Sequence, residues 1–158
     1  MSKMQALLDE YGESHQNSTN KLIHWICVPS IFFSIVGLIW SIPNNLLINL
    51  VGNTWYSNWA AVLMLLVLIY YVTLSISLSI GMAAFGWICI FLANTLGTGD
   101  FAPLWLISII IFVIAWVGQF YGHHLEGKKP SFFKDIQFLL VGPAWLMHFI
   151  YKKIGIPY

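Results

Sequence analysis

The sequence predicts an all-α integral membrane protein, a single domain built as a bundle of about four transmembrane helices. Hydrophobic residues make up 59% of the 158 residues and charged residues only 8%, which is far from the composition of soluble proteins. Several long stretches carry no formal charge and match the length that a bilayer requires. The basic residues are seven lysines with no arginine, and they lie close to the ends of these stretches.

Four stretches are predicted to span the membrane, and they cover residues 22–42, 59–79, 82–96 and 101–121. At about 1.5 Å per residue, the first is long enough for a hydrocarbon core of about 30 Å. The second and third belong to one uncharged run, and we expect the chain to turn around residues 79–81. The third span would then be short, and either tilted or re-entrant. Aromatic residues flank the loop after the first span, as in an interfacial belt; they are Trp40, Trp55, Tyr56 and Trp59.

Two further segments are predicted to be helical without spanning the membrane. Near the N-terminus, apolar residues recur at helical spacing opposite charged ones, which indicates a short amphipathic helix lying on the membrane. Near the C-terminus, the apolar stretch 136–150 is interrupted by Gly142 and Pro143. A central proline normally kinks or breaks a helix, so we expect a broken interfacial or re-entrant helix that covers the inner face.

The lysines predict the orientation of the bundle. Cytoplasmic flanks of membrane helices are enriched in lysine and arginine. With four spans, all seven lysines share one side with both termini, and the opposite loops carry only Asp100. We therefore expect both termini in the cytoplasm, in a bacterial inner membrane or an endoplasmic reticulum. The absence of arginine argues against nucleic-acid recognition, so the expected surroundings are membrane lipid and no nucleic acid.

All five histidines fall at the predicted inner end of the bundle: His15, His24, His123, His124 and His148. A general preference for interfaces would populate both faces, as the tryptophans do. Neutral imidazole is a common ligand of iron, zinc and copper, so the clustering suggests a metal site. Nearby polar residues could orient the imidazoles; they are Asn17, Asn20, Gln119 and Glu126. Two other interpretations stay open, a haem-binding electron-transfer protein and a non-catalytic scaffold or carrier with interfacial histidines.

Several of these residues form a longer pattern. Tyr11 to Pro29 follow Y-x3-H-x-N-x2-N-x3-H-x4-P, and Gln119 to His123 are followed by E-G-K-K-P and later by Gly142-Pro143. This pattern resembles the membrane family of the yeast dioxygenase that degrades phytosphingosine-derived 2-hydroxy fatty acids. The resemblance covers almost the whole chain. The family pattern has no counterpart to His124 and places a different residue at the position of His148.

The resemblance implies an iron(II)-dependent dioxygenase that converts a 2-hydroxy fatty acid and O₂ into the acid one carbon shorter. His15, His24 and His123 would then be the catalytic iron ligands, with His148 or His124 as an alternative fourth ligand. For the substrate, Lys21 and Lys128 could attract the carboxylate, and Trp87 and Trp116 could line the pocket for the acyl tail. Topology signals and ordinary membrane packing are competing explanations for these four residues.

Overall fold

The computed structural model describes residues 3–127 and 132–157, with the backbone alone for 132–137. These residues form helices and no strand, which confirms the all-α prediction. The helices are α1 (Lys3–Gly12), α2 (Ser18–Trp40), α3 (Asn45–Val51), α4 (Trp59–Leu74), α5 (Ile76–Gly97), α6 (Leu104–Leu125) and α7 (Phe132–Ile154).

Three helices in the described part of the chain are long and apolar enough to cross a membrane, namely α2, α5 and α6. These three helices support the prediction of an integral membrane protein. The helix α4 is apolar but has only 16 residues, so it reaches about 24 Å, less than a typical hydrocarbon core. Of the two helices α4 and α5, the short one is therefore α4. The third span was predicted to be short, but the corresponding helix α5 has 22 residues.

The chain turns between α4 and α5 at Ser75, not at residues 79–81 as expected. Ser75 has an extended backbone, and its hydroxyl accepts a hydrogen bond from the Leu78 N–H, which starts α5. Met64 packs against Gly86, and these two residues lie equally far from Ser75 along the chain. The helices α4 and α5 therefore fold back on each other. Gly81, where a turn was predicted, lies inside α5 and gives space to side chains of α7.

The helices α2 and α6 pack closely along their length because small residues line their contact. A side chain at Gly37 would collide with Ser108, one at Gly118 with Cys27, and one at Gly122 with Asn20. The order of these contacts shows that the two helices run antiparallel. The first turns of α2 therefore lie beside the last turns of α6, at one end of the bundle.

The N-terminal helix is amphipathic as predicted, but its apolar face does not point to lipid. Met4, Leu8 and Tyr11 are buried, and α1 packs against α7, where Trp145 contacts Tyr11. A protein surface thus covers the face that was expected to lie on the membrane.

The prediction of a broken C-terminal helix was wrong, because α7 continues through Gly142 and Pro143. A proline lacks the N–H and crowds the carbonyls of the preceding turn. The Tyr71 hydroxyl donates a hydrogen bond to the Leu140 carbonyl, which links α7 to α4. The Tyr151 hydroxyl donates to the Ser77 carbonyl at 2.8 Å. These two bonds hold α7 across the same end of the bundle as the α4–α5 turn.

Candidate metal centre

Three segments that are distant in sequence bring one histidine each to a common point. His15 lies after α1, His24 in the second turn of α2, and His123 in the last turn of α6. Their side chains are 2%, 0% and 6% exposed. One nitrogen from each imidazole lies within 4.8 Å of the other two. The ring centroids are 4.2 Å apart for His15 and His24, and 5.1 Å for His24 and His123.

Backbone carbonyls fix the orientation of two of these rings. His15 Nδ1 lies 2.6 Å from the Tyr11 carbonyl oxygen, and His24 Nδ1 lies 2.9 Å from the Asn20 carbonyl oxygen. A carbonyl can only accept, so Nδ1 must donate in both pairs. Each ring in its neutral form then carries its lone pair on Nε2, the nitrogen that a metal can bind. This arrangement is common for metal-ligating histidines, whose other nitrogen is held by a carbonyl or carboxylate.

The group fits a divalent transition metal. His24 Nε2 is buried and has no hydrogen-bond partner among the residues that the structure describes. Such an atom is costly to bury unless a ligand occupies it. No carboxylate or thiol from the described residues joins the three imidazoles. An all-imidazole set suits iron, zinc or copper better than magnesium or calcium, which prefer oxygen ligands.

Glu126 connects the three segments that carry the histidines. It follows α6, and its carboxylate accepts hydrogen bonds from the backbone N–H groups of Gln16 and Asn17, at 2.7 and 3.0 Å. It also accepts one from the Asn20 side-chain amide at 2.9 Å. Asn17 in turn caps α2 through its side chain. We call this arrangement the Glu126 clasp.

Electrostatics support the charged form of the clasp. Desolvation raises the pKa of the Glu126 carboxyl, but the hydrogen bonds from Asn20, Gln16 and Asn17 outweigh it and hold that pKa below its usual value. The carboxylate also lies at the N-terminus of α2, where the helix dipole favours a negative charge. The clasp therefore remains ionised at neutral pH.

Two aromatic residues that sequence reasoning assigned no role cover one side of the histidines. The Tyr11 ring stacks on His15 with centroids 4.3 Å apart and planes at 12°. Trp145 contacts both Tyr11 and His15, each with centroids 5.3 Å apart. Tyr11 was visible as the first residue of the Y-x3-H pattern, and its i, i+4 spacing to His15 was the available signal. Nothing in the sequence pointed to Trp145, because α7 reaches the site only through tertiary packing.

The structure does not bring the other two histidines into this group. His124 is exposed, and the half-buried His148 lies on α7 with its ring against Phe149. Of the residues proposed to orient the imidazoles, Asn20 does so through its backbone carbonyl. Asn17 instead caps α2, and Glu126 accepts a hydrogen bond from the Gln16 backbone. Gln119 is buried one turn before His123.

The predicted substrate residues are dispersed. Lys21 is half-buried at the start of α2 and lines an open cavity next to His15. Trp87 is 55% exposed on α5 and stacks on Phe91, and Trp116 packs between aromatic residues of α6. Neither tryptophan lines that cavity. Lys128 lies outside the described residues.

The geometry disfavours haem. Two axial imidazoles must face each other with a flat macrocycle between them. His24 and His123 instead meet edge to face, and His15 contacts both rings. These contacts leave no space for a porphyrin between any two of the three.

Comparison with known families assigns the chain to one of them. Residues 1–154 match the family model described as 2-hydroxy-palmitic acid dioxygenase Mpo1-like. The chain belongs to this family. Membership in the Mpo1-like family confirms the resemblance that the histidine and asparagine pattern indicated, and it supports an oxygenase activity at the level of the family. No curated protein and no solved structure matches the chain.

Proposed function

We propose that this protein is an iron(II)-dependent dioxygenase that converts 2-hydroxy fatty acids into the acid one carbon shorter. The observation that carries the proposal is the buried triangle of imidazoles at the end of a membrane bundle. Two of its rings are held by carbonyls so that Nε2 is presented for coordination. The name of the Mpo1-like family supplies the chemical class of the substrate.

The reaction balances without a further cosubstrate. A 2-hydroxy acid, R–CH(OH)–COOH, and O₂ give R–COOH, CO₂ and water. The C1–C2 bond breaks, C2 becomes the new carboxyl carbon, and C1 leaves as CO₂. The acid loses four electrons, and one O₂ accepts four. The sequence shows no dinucleotide-binding or P-loop motif, consistent with an enzyme that needs no nucleotide reductant.

Each part of the site has a role in this proposal. His15, His24 and His123 would hold the metal, which supplies O₂ activation and chelation of the substrate's carboxylate and hydroxyl oxygens. Carbonyls of Tyr11 and Asn20 keep two imidazoles in the required tautomer. The Glu126 clasp keeps the three segments together. Tyr11 and Trp145 exclude water from one side of the site.

The proposal includes a topology with four spans and both termini in the cytoplasm. The described histidines, α1, α7 and the α4–α5 turn all lie at one end of the bundle. Lys3, Lys21 and Lys153 belong to segments at that end. Labelling of single cysteines should place residues 3 and 153 inside and Asn53 and Asp100 outside. Termini on opposite sides would contradict the four-span topology.

Metal analysis and turnover on the same preparation test the function. Protein purified under nitrogen should contain about one iron per chain and, once given air and 2-hydroxyhexadecanoic acid, should release pentadecanoic acid. His123→Ala should lose both properties while the protein still inserts into membranes, because His123 contributes nothing to the apolar spans. A Soret band in the visible spectrum would instead indicate haem. The absence of stoichiometric metal would indicate a scaffold or carrier.

A further inference from the structure

An open cavity of about 250 Å³ lies beside the metal centre. It is formed by α1, the start of α2 and the second half of α7, and His15 lies on its wall. Trp145, Phe149 and Leu8 make one apolar side, and Lys21 and His148 contribute polar groups. His15 is the triad member among the lining residues, so a ligand placed here would be separated from the metal position by no more than this imidazole ring.

The charged side chains of the cavity differ in exposure. Lys21 is half-buried, whereas Asp9 and Glu13 are exposed. His148 is also half-buried, and burial together with the Lys152 ammonium lowers its pKa, so it adds no positive charge at neutral pH. Asp9 also accepts a hydrogen bond from the Gln5 side chain at 2.7 Å. Water screens exposed charges more effectively than half-buried ones. Lys21 is therefore the group of the cavity that favours an anion, although Asp9 and Glu13 carry two negative charges.

The cavity is too small for a whole long-chain fatty acid, because ligand pockets usually have about 300–1,000 Å³. Its apolar side continues towards the bundle surface. Phe149 packs edge to face on Trp145 with centroids 4.6 Å apart, and it approaches Trp25 at 6.3 Å. Trp25 lies one turn after Lys21 on α2 and is 40% exposed. An acyl chain could thus leave the cavity between α2 and α7 and continue into lipid.

We infer that this cavity is the substrate channel. The carboxylate and 2-hydroxyl of a 2-hydroxy fatty acid lie between Lys21, His148 and His15, and the acyl chain passes over Phe149 and Trp25 into the membrane. The assignment of the acid as substrate rests on the proposed function. The route itself rests on the lining of the cavity, its half-buried cation Lys21 and the aromatic path to α2.

Protection of a thiol measures occupancy directly. In a chain with Cys27→Ala and Cys89→Ala, Gln16→Cys places a thiol on the cavity wall, and Glu10→Cys places one on the exposed face of α1 away from the cavity. Under nitrogen, where no turnover occurs, saturating 2-hydroxyhexadecanoic acid should slow maleimide labelling at position 16 at least fivefold. Labelling at position 10 should not change. The methyl ester, which lacks the negative charge, should protect poorly.

Charge variants test which group binds the carboxylate. Lys21→Gln should raise the concentration that gives half-maximal protection about tenfold. Asp9→Asn removes an exposed negative charge at constant size and should leave that concentration unchanged or lower it. Unprotected labelling at position 16, or equal values for wild type and Lys21→Gln, would overturn the proposal. If Asp9→Asn needs a higher concentration of the acid for half-maximal protection, the exposed carboxylate of Asp9 does not oppose binding, and the assigned roles of the charges are wrong.

The aromatic path predicts that the contribution of Trp25 depends on the length of the acyl chain. Trp25→Ala should raise KM for the sixteen-carbon acid about fivefold and leave KM for 2-hydroxyoctanoic acid within twofold, since the short chain does not reach α2. An equal change for both acids would place the tail elsewhere. Protection without turnover would support the channel and refute the proposed reaction. Turnover without protection would support the reaction and refute the channel.

Discussion

Glu126→Gln is the substitution that best separates a functional clasp from a surface carboxylate. The wild-type carboxylate accepts from three donors, the N–H groups of Gln16 and Asn17 and the amide of Asn20. Glutamine is nearly isosteric, but it keeps one acceptor oxygen, and its amide group would face a donor. The variant leaves the imidazole–carbonyl bonds intact. It therefore loosens the connection between the segments without removing a ligand.

The expected magnitude follows from these contacts. A hydrogen bond to a charged group contributes about 1.5–3 kcal/mol when buried, and Glu126 is only partly buried, so water recovers part of the loss. We expect a net loss of about 1–2.5 kcal/mol in the free energy of metal binding. A loss of this size corresponds to an affinity for the metal that is about 5–70-fold lower.

Competition with a chelator under nitrogen measures the change. Purified wild type and Glu126→Gln would be titrated with iron(II) at pH 7, and Asp100→Asn would serve as the matched control, because Asp100 lies on an exposed turn at the opposite end of the bundle. The control should bind iron as wild type does. If Glu126→Gln also stays within twofold of wild type, the clasp does not stabilise the metal centre.

Three further predictions concern the same end of the bundle. His24→Ala should abolish iron retention and turnover while His124→Ala keeps most of both, because His24 is buried in the triad and His124 is exposed; equal losses in iron content would contradict this. Gly122→Ala should lower iron affinity at least tenfold, since the new Cβ would collide with Asn20 beside His24, whereas Gly99→Ala meets only ordinary contacts and should be neutral in the same titration. Because the folded-state pKa of Glu126 lies below its usual value of 4.5, its stabilisation should be complete above that value and fade as the pH falls through the lowered one. Wild type and Glu126→Gln should thus differ in Tm at pH 7, and the difference should shrink as the pH falls from 4.5 through the lowered pKa; a constant difference would count against the ionised clasp.

Local properties of the chain were sufficient to predict the class of protein and its family. Hydropathy is a sum over neighbouring residues, so long uncharged stretches identify membrane helices before any packing is known. The spacing from Asn17 through Asn20 to His24 is a property of one helix start, where Asn17 caps α2 and His24 Nδ1 donates to the Asn20 carbonyl. The Mpo1-like family could be recognised from that spacing together with the motif around His123.

Tertiary packing decided the remaining features, because they depend on contacts between distant segments. Glu126 binds the backbone of Gln16, 110 residues earlier in the chain, and only the close α2–α6 contact places them together. Pro143 stays within a continuous helix, and Tyr71 from α4 donates to the Leu140 carbonyl of that helix, a contact that no local pattern reveals. The sequence by itself therefore determined a membrane bundle with histidines at one end. The structure decided which three converge, because convergence depends on how helices pack and not on the residues next to each histidine.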